Sequence, residues 1–230
     1  AQDEADVLVF NTCTIREKPD QRFAAHLAQA RALKERDPDK VIAVGGCYAE
    51  AQRERLFTLY PYVDVAFGPG SIPHLGEWLG LGGEGVAPGA FGLDERTFAG
   101  RLPTRRERGF QAWVQISMGC NSKCAYCIVP AVRGREQSRR PGEIVAEVEG
   151  LAREGVREIT LLGQNVNAYR GSMGDSAEAA DLATLIEYIA EVPGIERIRY
   201  TTSHPREMTR RLIETYERVE KLVSHLHLPV

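Results

Sequence analysis

Cys120, Cys124 and Cys127 fall within eight residues, spaced C-x3-C-x2-C in the run Met118-Gly119-Cys120-Asn121-Ser122-Lys123-Cys124-Ala125-Tyr126-Cys127-Ile128-Val129-Pro130. Three thiolates this close can grip one metal centre but cannot complete it, because structural zinc sites and iron–sulfur cubanes take four ligands. A four-iron cubane held at three corners leaves one iron open to a small molecule, and that open iron is a reactive site. Disulfides fit poorly. Five cysteines in 230 residues are sparse and odd in number, and no signal peptide or long apolar stretch points to export. Structural zinc stays open as a second reading, although the run holds no His and its third cysteine has no partner pair downstream. Iron–sulfur ligation fits the spacing best.

Regular elements must position these thiols. Residues 1–80 read as an N-terminal α/β domain. Apolar strands at Asp6–Asn11, Val41–Val44 and Asp64–Phe67 alternate with helical patterns at residues 20–36, Ala49–Leu59 and Ile72–Leu79. Continuous apolar strands between helices imply a doubly wound parallel sheet covered on both faces. Cys13 follows the first strand and Cys47 the second, each at a carboxyl end, where open α/β sheets bind ligands. The plainer reading is two small apolar residues at strand ends. Residues 81–104 are rich in Gly and Pro and read as a linker.

Residues 105–230 read as a second set of β-α units. Strands are predicted at Phe110–Ile116, Glu158–Gly163, Ile195–Tyr200 and His225–Val230. Helices are predicted at Pro141–Arg153, residues 181–191 and Glu207–Leu222. Repeats of this length form a partial β/α barrel or an open parallel sheet. Polar loops follow the strands: the cysteine run, then Gln164-Asn165-Val166-Asn167, then Thr202-Ser203-His204-Pro205. In barrels that face carries the chemistry. Gln164, Asn165 and Ser203 are therefore candidate cofactor or substrate contacts, with loop capping as the competing role. His204 reads as a satisfied loop histidine rather than a metal ligand.

The formal net charge of −3 argues against a uniformly basic nucleic-acid binder. Locally the balance differs. Arg101, Arg105, Arg106, Arg108, Lys123, Arg133, Arg135, Arg139 and Arg140 bracket the cysteine run, with only Glu107 and Glu136 among them. The stretch is either a solvated face or a phosphate-binding one, and Arg133 and Arg135 either pair structurally or reach RNA phosphates. Nothing in the chain is long and apolar enough to span a membrane, and thiols used as metal ligands point to a reducing cytoplasm.

The cysteine loop after a strand, with Tyr126 before its last cysteine, resembles the radical S-adenosylmethionine superfamily. Several runs extend the likeness to the methylthiotransferases within it: Asn11-Thr12-Cys13-Thr14-Ile15-Arg16-Glu17-Lys18, Gly45-Gly46-Cys47, Leu162-Gly163-Gln164-Asn165-Val166-Asn167, Thr202-Ser203-His204-Pro205 and His225-Leu226-His227-Leu228-Pro229-Val230. The Thr14–Lys18 stretch is most similar to the branch that adds a methylthio group to C2 of isopentenylated adenosine beside the tRNA anticodon. The branches acting on threonylcarbamoyladenosine or a ribosomal protein resemble it less.

The resemblance implies an enzyme with two [4Fe–4S] clusters and S-adenosylmethionine. Cys120, Cys124 and Cys127 would hold the cluster whose open iron chelates S-adenosylmethionine and whose electron releases a 5′-deoxyadenosyl radical. Cys13 and Cys47 would be two of three ligands to a sulfur-delivering cluster. The family's third ligand comes from a Gly-Cys-Gln-Met-Asn segment, which does not occur here, and neither does its C-terminal RNA-binding β domain. The resemblance thus implies a fragment lacking both termini, with the anticodon stem-loop of tRNA as substrate and an electron donor such as flavodoxin or ferredoxin. A non-catalytic metal-binding module that recognises RNA is the alternative of a different class.

Overall fold

The computed structural model describes residues 2–13, 17–81, 83, 85–89, 91, 109–174 and 178–228. Most of the linker, Thr14–Arg16, Pro229, Val230 and the basic residues Arg101, Arg105, Arg106 and Arg108 lie outside them. The chain folds into two compact units. One comprises Ala1–Ala99 with Ser122–Gly134, the other Gly100–Asn121 with Arg135–Val230.

The first unit is built on three parallel strands in the order β1 (Val7–Thr12), β2 (Val41–Gly46), β3 (Val65–Phe67). Their register runs from Val7 opposite Val41 to Thr12 opposite Gly46. Helix α1 (Glu17–Arg36) buries Phe23, Leu27, Ala30 and Leu33 at helical spacing against Leu8, Ile42 and Val44. The opposite face carries Ala43, Val65 and Phe67. These are covered by Ile72, Leu75, Trp78 and Leu79 from a 3-10 turn (Pro69–His74) and α4 (Leu75–Trp78). Both faces of the sheet are therefore apolar and both are covered, as continuous hydrophobic strands require.

Two predicted helices of this unit form differently. The pattern at 49–59 is split into α2 (Cys47–Gln52) and α3 (Arg55–Leu59), because Arg53 adopts the left-handed region at φ 47°. Its guanidinium donates to the buried carboxylate of Glu50 at 2.8 Å, which ties the break to the preceding turn. The pattern at 72–79 begins as a 3-10 turn. Pro73 has no N–H to give to an α-helical ladder.

The second unit holds β4 (Gln111–Gln115), β7 (Glu158–Leu162) and β10 (Arg197–Tyr200), parallel, with β7 in the middle. Three helices, α6 (Pro141–Arg153), α7 (Leu182–Ala190) and α8 (Arg210–Arg218), contribute to one core with Ala112, Val114, Ile159, Leu161, Ile198 and Tyr200. Fully burying a Leu or Ile is worth roughly 1.5–3 kcal/mol, so this cluster is the unit's main source of stability. On the opposite side of β4, Gln111, Trp113 and Gln115 alternate with the buried residues, and Trp113 is 72% exposed.

Two small ladders complete the unit. Strand β5 (Ser117–Met118) pairs antiparallel with β6 (Gln137–Ser138), and β8 (Arg170–Ser172) pairs with β9 (Ala179–Asp181). Between β5 and β6 the chain also forms α5 (Val129–Arg133), which belongs to the first unit.

The C-terminal expectations need correction. The helix predicted at Glu207–Leu222 is shorter, because Pro205 opens a 3-10 turn and Thr209 caps α8 only from Arg210. The strand predicted at His225–Val230 does not form over the described residues 225–228. The chain pairs with β10 earlier, at the single bridge Ile198–Leu222. After that His227 meets the loop beyond β10, its carbonyl accepting from Ser203 N–H at 3.1 Å and its Nδ1 from Thr202 N–H at 3.0 Å.

Two glycines test this packing in opposite directions. Gly46 lies at φ 93°, and a Cβ there would stand 2.1 Å from the Thr12 carbonyl oxygen. Gly150 lies inside α6, where a Cβ meets nothing nearer than an Arg153 nitrogen at 3.8 Å. In urea unfolding followed by circular dichroism, Gly46→Ala should cost about 2 kcal/mol or more. Gly150→Ala should add about 0.5–1 kcal/mol.

Candidate metal centre

All five cysteines are free thiols. Cys120, Cys124 and Cys127 lie in the segment that leaves β5 and returns at β6. Its ends are closed by the pairs Ser117–Ser138 and Met118–Gln137. Ile116 N–H donates to Leu162 O at 2.9 Å, and Arg139 N–H donates to Ile116 O at 2.9 Å, so the loop springs from the carboxyl end of β4. Asn121 Oδ1 accepts from Glu136 N–H at 3.1 Å and extends the closure past the strands. Inside the segment Cys127 N–H donates to Cys124 O at 3.0 Å, which closes a tight turn between those two residues. Cys120 is buried, and Cys124 and Cys127 are half-buried.

Gln164, read from the sequence as a cofactor contact, has a role within the protein. Its Oε1 accepts from the buried Gly119 N–H at 2.6 Å, one residue before Cys120. Gly119 adopts φ 77°, a conformation that suits glycine and aims the chain into the loop. Asn165 is buried at the start of a short 3-10 turn, Val166–Ala168. Ser203 is buried after β10.

Asn167 does more than its place in a polar loop signals. It bridges the loops after β7 and β10, donating from Nδ2 to His204 O at 2.9 Å and accepting His204 N–H at 2.8 Å. His204 itself accepts the Arg206 N–H on Nδ1 at 3.2 Å, as a loop histidine does.

Among the described residues, three buried hydroxyls have no hydrogen-bond partner in the protein: Ser117 Oγ, Thr160 Oγ1 and Ser203 Oγ. An unpaired buried hydroxyl costs about 1–3 kcal/mol, so each of the three is a position that the packing alone does not satisfy. Ser117 and Ser203 follow β4 and β10 at the carboxyl edge. Sequence reasoning found Ser203 but missed Ser117 and Thr160. The available signal was Thr160 between apolar neighbours in a strand and Ser117 directly after one.

In the first unit Cys13 and Cys47 come directly after the last register pair, Thr12–Gly46, so the two thiols head neighbouring strand ends. Parallel strands lie about 4.8 Å apart. Cys13 is exposed, whereas Cys47 is 2% exposed. Gly45 makes room for a neighbour on β3: a Cβ on it would enter the Phe67 ring at 2.2 Å. The side chain that touches Cys47 is a surprise. Arg133, at the end of α5, donates from Nε to Cys47 Sγ at 3.3 Å. The sequence offered Arg133 only as a structural pair or an RNA phosphate contact. Arg139 also leaves the predicted basic face. It is 5% exposed and paired with Glu147 at 2.7 Å.

Among the described residues no three His, Cys, Asp or Glu side chains are gathered closely enough to hold a metal ion. The donor set nonetheless suits iron–sulfur ligation: thiols only, free, three of them on one loop and two at adjacent strand ends.

Comparison with known proteins agrees with this chemistry. Residues 114–230 match the Radical SAM superfamily, and residues 1–68 match the Uncharacterized protein family UPF0004. The chain is 52% identical over 229 residues to the tRNA-2-methylthio-N(6)-dimethylallyladenosine synthase of Cupriavidus necator, covering 99% of this chain and 51% of that protein. The synthase of the same name from Ralstonia nicotianae is 50% identical over 229 residues, covering 99% and 50%. The chain thus spans about half the length of the curated relatives it matches. Its fold is similar to that of TsrM, a radical S-adenosylmethionine methyltransferase from Kitasatospora setae solved with cobalamin and a [4Fe–4S] cluster bound. The TM-score is 0.59 at 15% identity, covering 99% of this chain and 50% of that one.

The role of Gln164 is testable without any cofactor. Gln164→Ala leaves the buried Gly119 N–H unpaired and should lower the unfolding free energy of the metal-free protein by about 1–3 kcal/mol. Gln164→Glu keeps the acceptor and should cost much less. A residue that serves only as a cofactor contact would leave metal-free stability unchanged in both variants, as read by urea unfolding.

A three-cysteine loop at the carboxyl end of a parallel strand, within a sequence match over residues 114–230, places the chain in the radical SAM superfamily, whose chemistry uses a [4Fe–4S] cluster and S-adenosylmethionine.

Proposed function

We propose that the protein is a tRNA methylthiotransferase that adds a methylthio group to C2 of isopentenylated adenosine next to the anticodon. The observation that carries this reading is identity of about half over 99% of the chain to synthases of that modification. C2 of adenine bears an unactivated C–H bond, which no side-chain base breaks at neutral pH, so a cofactor must supply the step. A [4Fe–4S] cluster with S-adenosylmethionine supplies one-electron chemistry for that bond, and a second cluster supplies sulfur.

The chain's own residues bind and orient. Cys120, Cys124 and Cys127 hold the first cluster, on a loop fixed by the β5–β6 ladder and by Gln164. Ser117, Thr160 and Ser203 offer hydroxyls to S-adenosylmethionine, and Asn165 follows Gln164 directly in the loop after β7. Cys13 and Cys47 contribute two ligands to the second cluster. Lys123, Arg135 and Arg140 are available to the phosphates of the anticodon stem-loop.

The domain limits that go with this reading are an N-terminal methylthiotransferase domain over 1–80, a linker over 81–104 and a partial radical-SAM barrel over 105–230. Flavodoxin or ferredoxin is the class of electron donor. The cytoplasm is the compartment, since it keeps the thiol ligands reduced. Among the described residues no helix is long and apolar enough to cross a membrane.

Anaerobic reconstitution of the full-length protein should give a brown protein that carries iron and sulfide and cleaves S-adenosylmethionine when reduced. A colourless protein with stoichiometric zinc would overturn the enzyme reading. Replacing Cys120, Cys124 or Cys127 by Ala should abolish cleavage. Replacing Cys13 or Cys47 should spare cleavage and stop thiolation. Mass spectrometry of tRNA nucleosides from cells lacking the gene should show loss of the methylthio-isopentenyl nucleoside. Unchanged tRNA would shift the substrate to a protein.

A further inference from the structure

A cationic N–H donor on a buried sulfur asks for an explanation. Arg133 Nε donates to Cys47 Sγ at 3.3 Å, and that sulfur belongs to a residue only 2% exposed. A neutral thiol is a weak acceptor, whereas a thiolate accepts strongly, and charge-assisted bonds are about twice as strong as neutral ones. A guanidinium placed on a thiol that stays neutral gains little for the side-chain freedom it loses. Placed on a ligating thiolate it gains both charge and hydrogen bonding.

The contact is also well supported mechanically. Arg133 ends α5, where Val132 is buried, and α5 packs on α2, the helix that Cys47 begins. Gly134, at φ 67°, stops the helix directly after Arg133 and turns the chain away. Helix α5 starts two residues after Cys127. One short element therefore carries the Cys124–Cys127 turn at its beginning and the donor to Cys47 at its end.

We propose that Arg133 is a positioning residue for the upstream cluster, holding the Cys47 thiolate and setting that cluster's reduction potential through its charge and its N–H. Hydrogen bonds to cluster sulfurs and nearby positive charge stabilise the more negative, reduced form and so raise the potential. This inference rests on the reading of Cys13 and Cys47 as cluster ligands. It adds that the first cysteine loop reaches the second cluster through Arg133.

The experiment isolates the upstream cluster. In the full-length protein, Cys120, Cys124 and Cys127 are all replaced by Ala, and iron and sulfide are measured after anaerobic reconstitution. If this parent carries no iron, the upstream-cluster reading falls and the inference falls with it. If it carries a cluster, Arg133→Gln and Arg133→Lys are added separately. Potentials are read by redox titration followed by electron paramagnetic resonance. Arg133→Gln should shift the potential to more negative values at parental iron content, and Arg133→Lys, which keeps the charge, should fall between the two. A Gln variant that loses iron while the Lys variant keeps it also supports the proposal. Parental iron with an unchanged potential in Arg133→Gln overturns it, as does equal loss of iron from both variants.

Discussion

A loop that carries three free thiols has to leave a sheet and return to it at a fixed place. In the second unit that fixing depends on Arg139. Its N–H donates to Ile116 O, its Nη1 donates to Gln115 O at 2.8 Å, and its carbonyl accepts the Tyr169 hydroxyl at 2.7 Å. Burial pushes the Tyr169 phenol well above its ordinary range, so it stays a donor at any physiological pH. The guanidinium is buried and paired with Glu147 on α6. Removing one member of such a pair strands a buried charge at a cost of about 3–5 kcal/mol. One residue thus ties the end of β4, the return strand β6 and a core helix together, and the cysteine loop inherits its root from that junction.

The first unit achieves the same end by shape instead of charge. Gly45 lies against the Phe67 ring, and Gly46 takes a backbone conformation that brings it onto Thr12. Thr12 Oγ1 closes the junction by donating to Gly45 O at 2.7 Å. The result is two strand ends in register with a cysteine directly after each. In both units the cysteines fall after the carboxyl ends of parallel strands, the edge where loops are free to vary.

Much of this was legible because the signals were local. Helix α6 spans the predicted Pro141–Arg153, since Pro141 starts it at a favoured position and Ile144 and Val148 repeat at helical spacing. The strands at 111–115 and 158–162 follow from alternation and apolar content. The break at Arg53 was illegible, because a positive φ at arginine has no sequence signature. The β8–β9 hairpin was illegible because each strand has three residues, too few for a period to show. Arg133 looked like its basic neighbours. Only the packing of α5 on α2 distinguishes a cation aimed at sulfur from one aimed at solvent.

The polar groups along β4, β7 and β10 show how the second unit divides its labour. At the amino ends Glu158 is nearly buried and fully engaged, accepting from Gln111 Nε2 at 2.9 Å, Arg197 Nη1 at 3.0 Å and Arg199 Nε at 3.1 Å. Those groups satisfy one another and lock the register of all three strands. Further along, Thr160 and then Ser117 and Ser203 are buried without a partner among the described residues. Polar satisfaction is thus complete at the amino ends and incomplete from the middle of β7 onward. The engaged end holds the sheet in register, which leaves the opposite end free to carry loops of varied length and content.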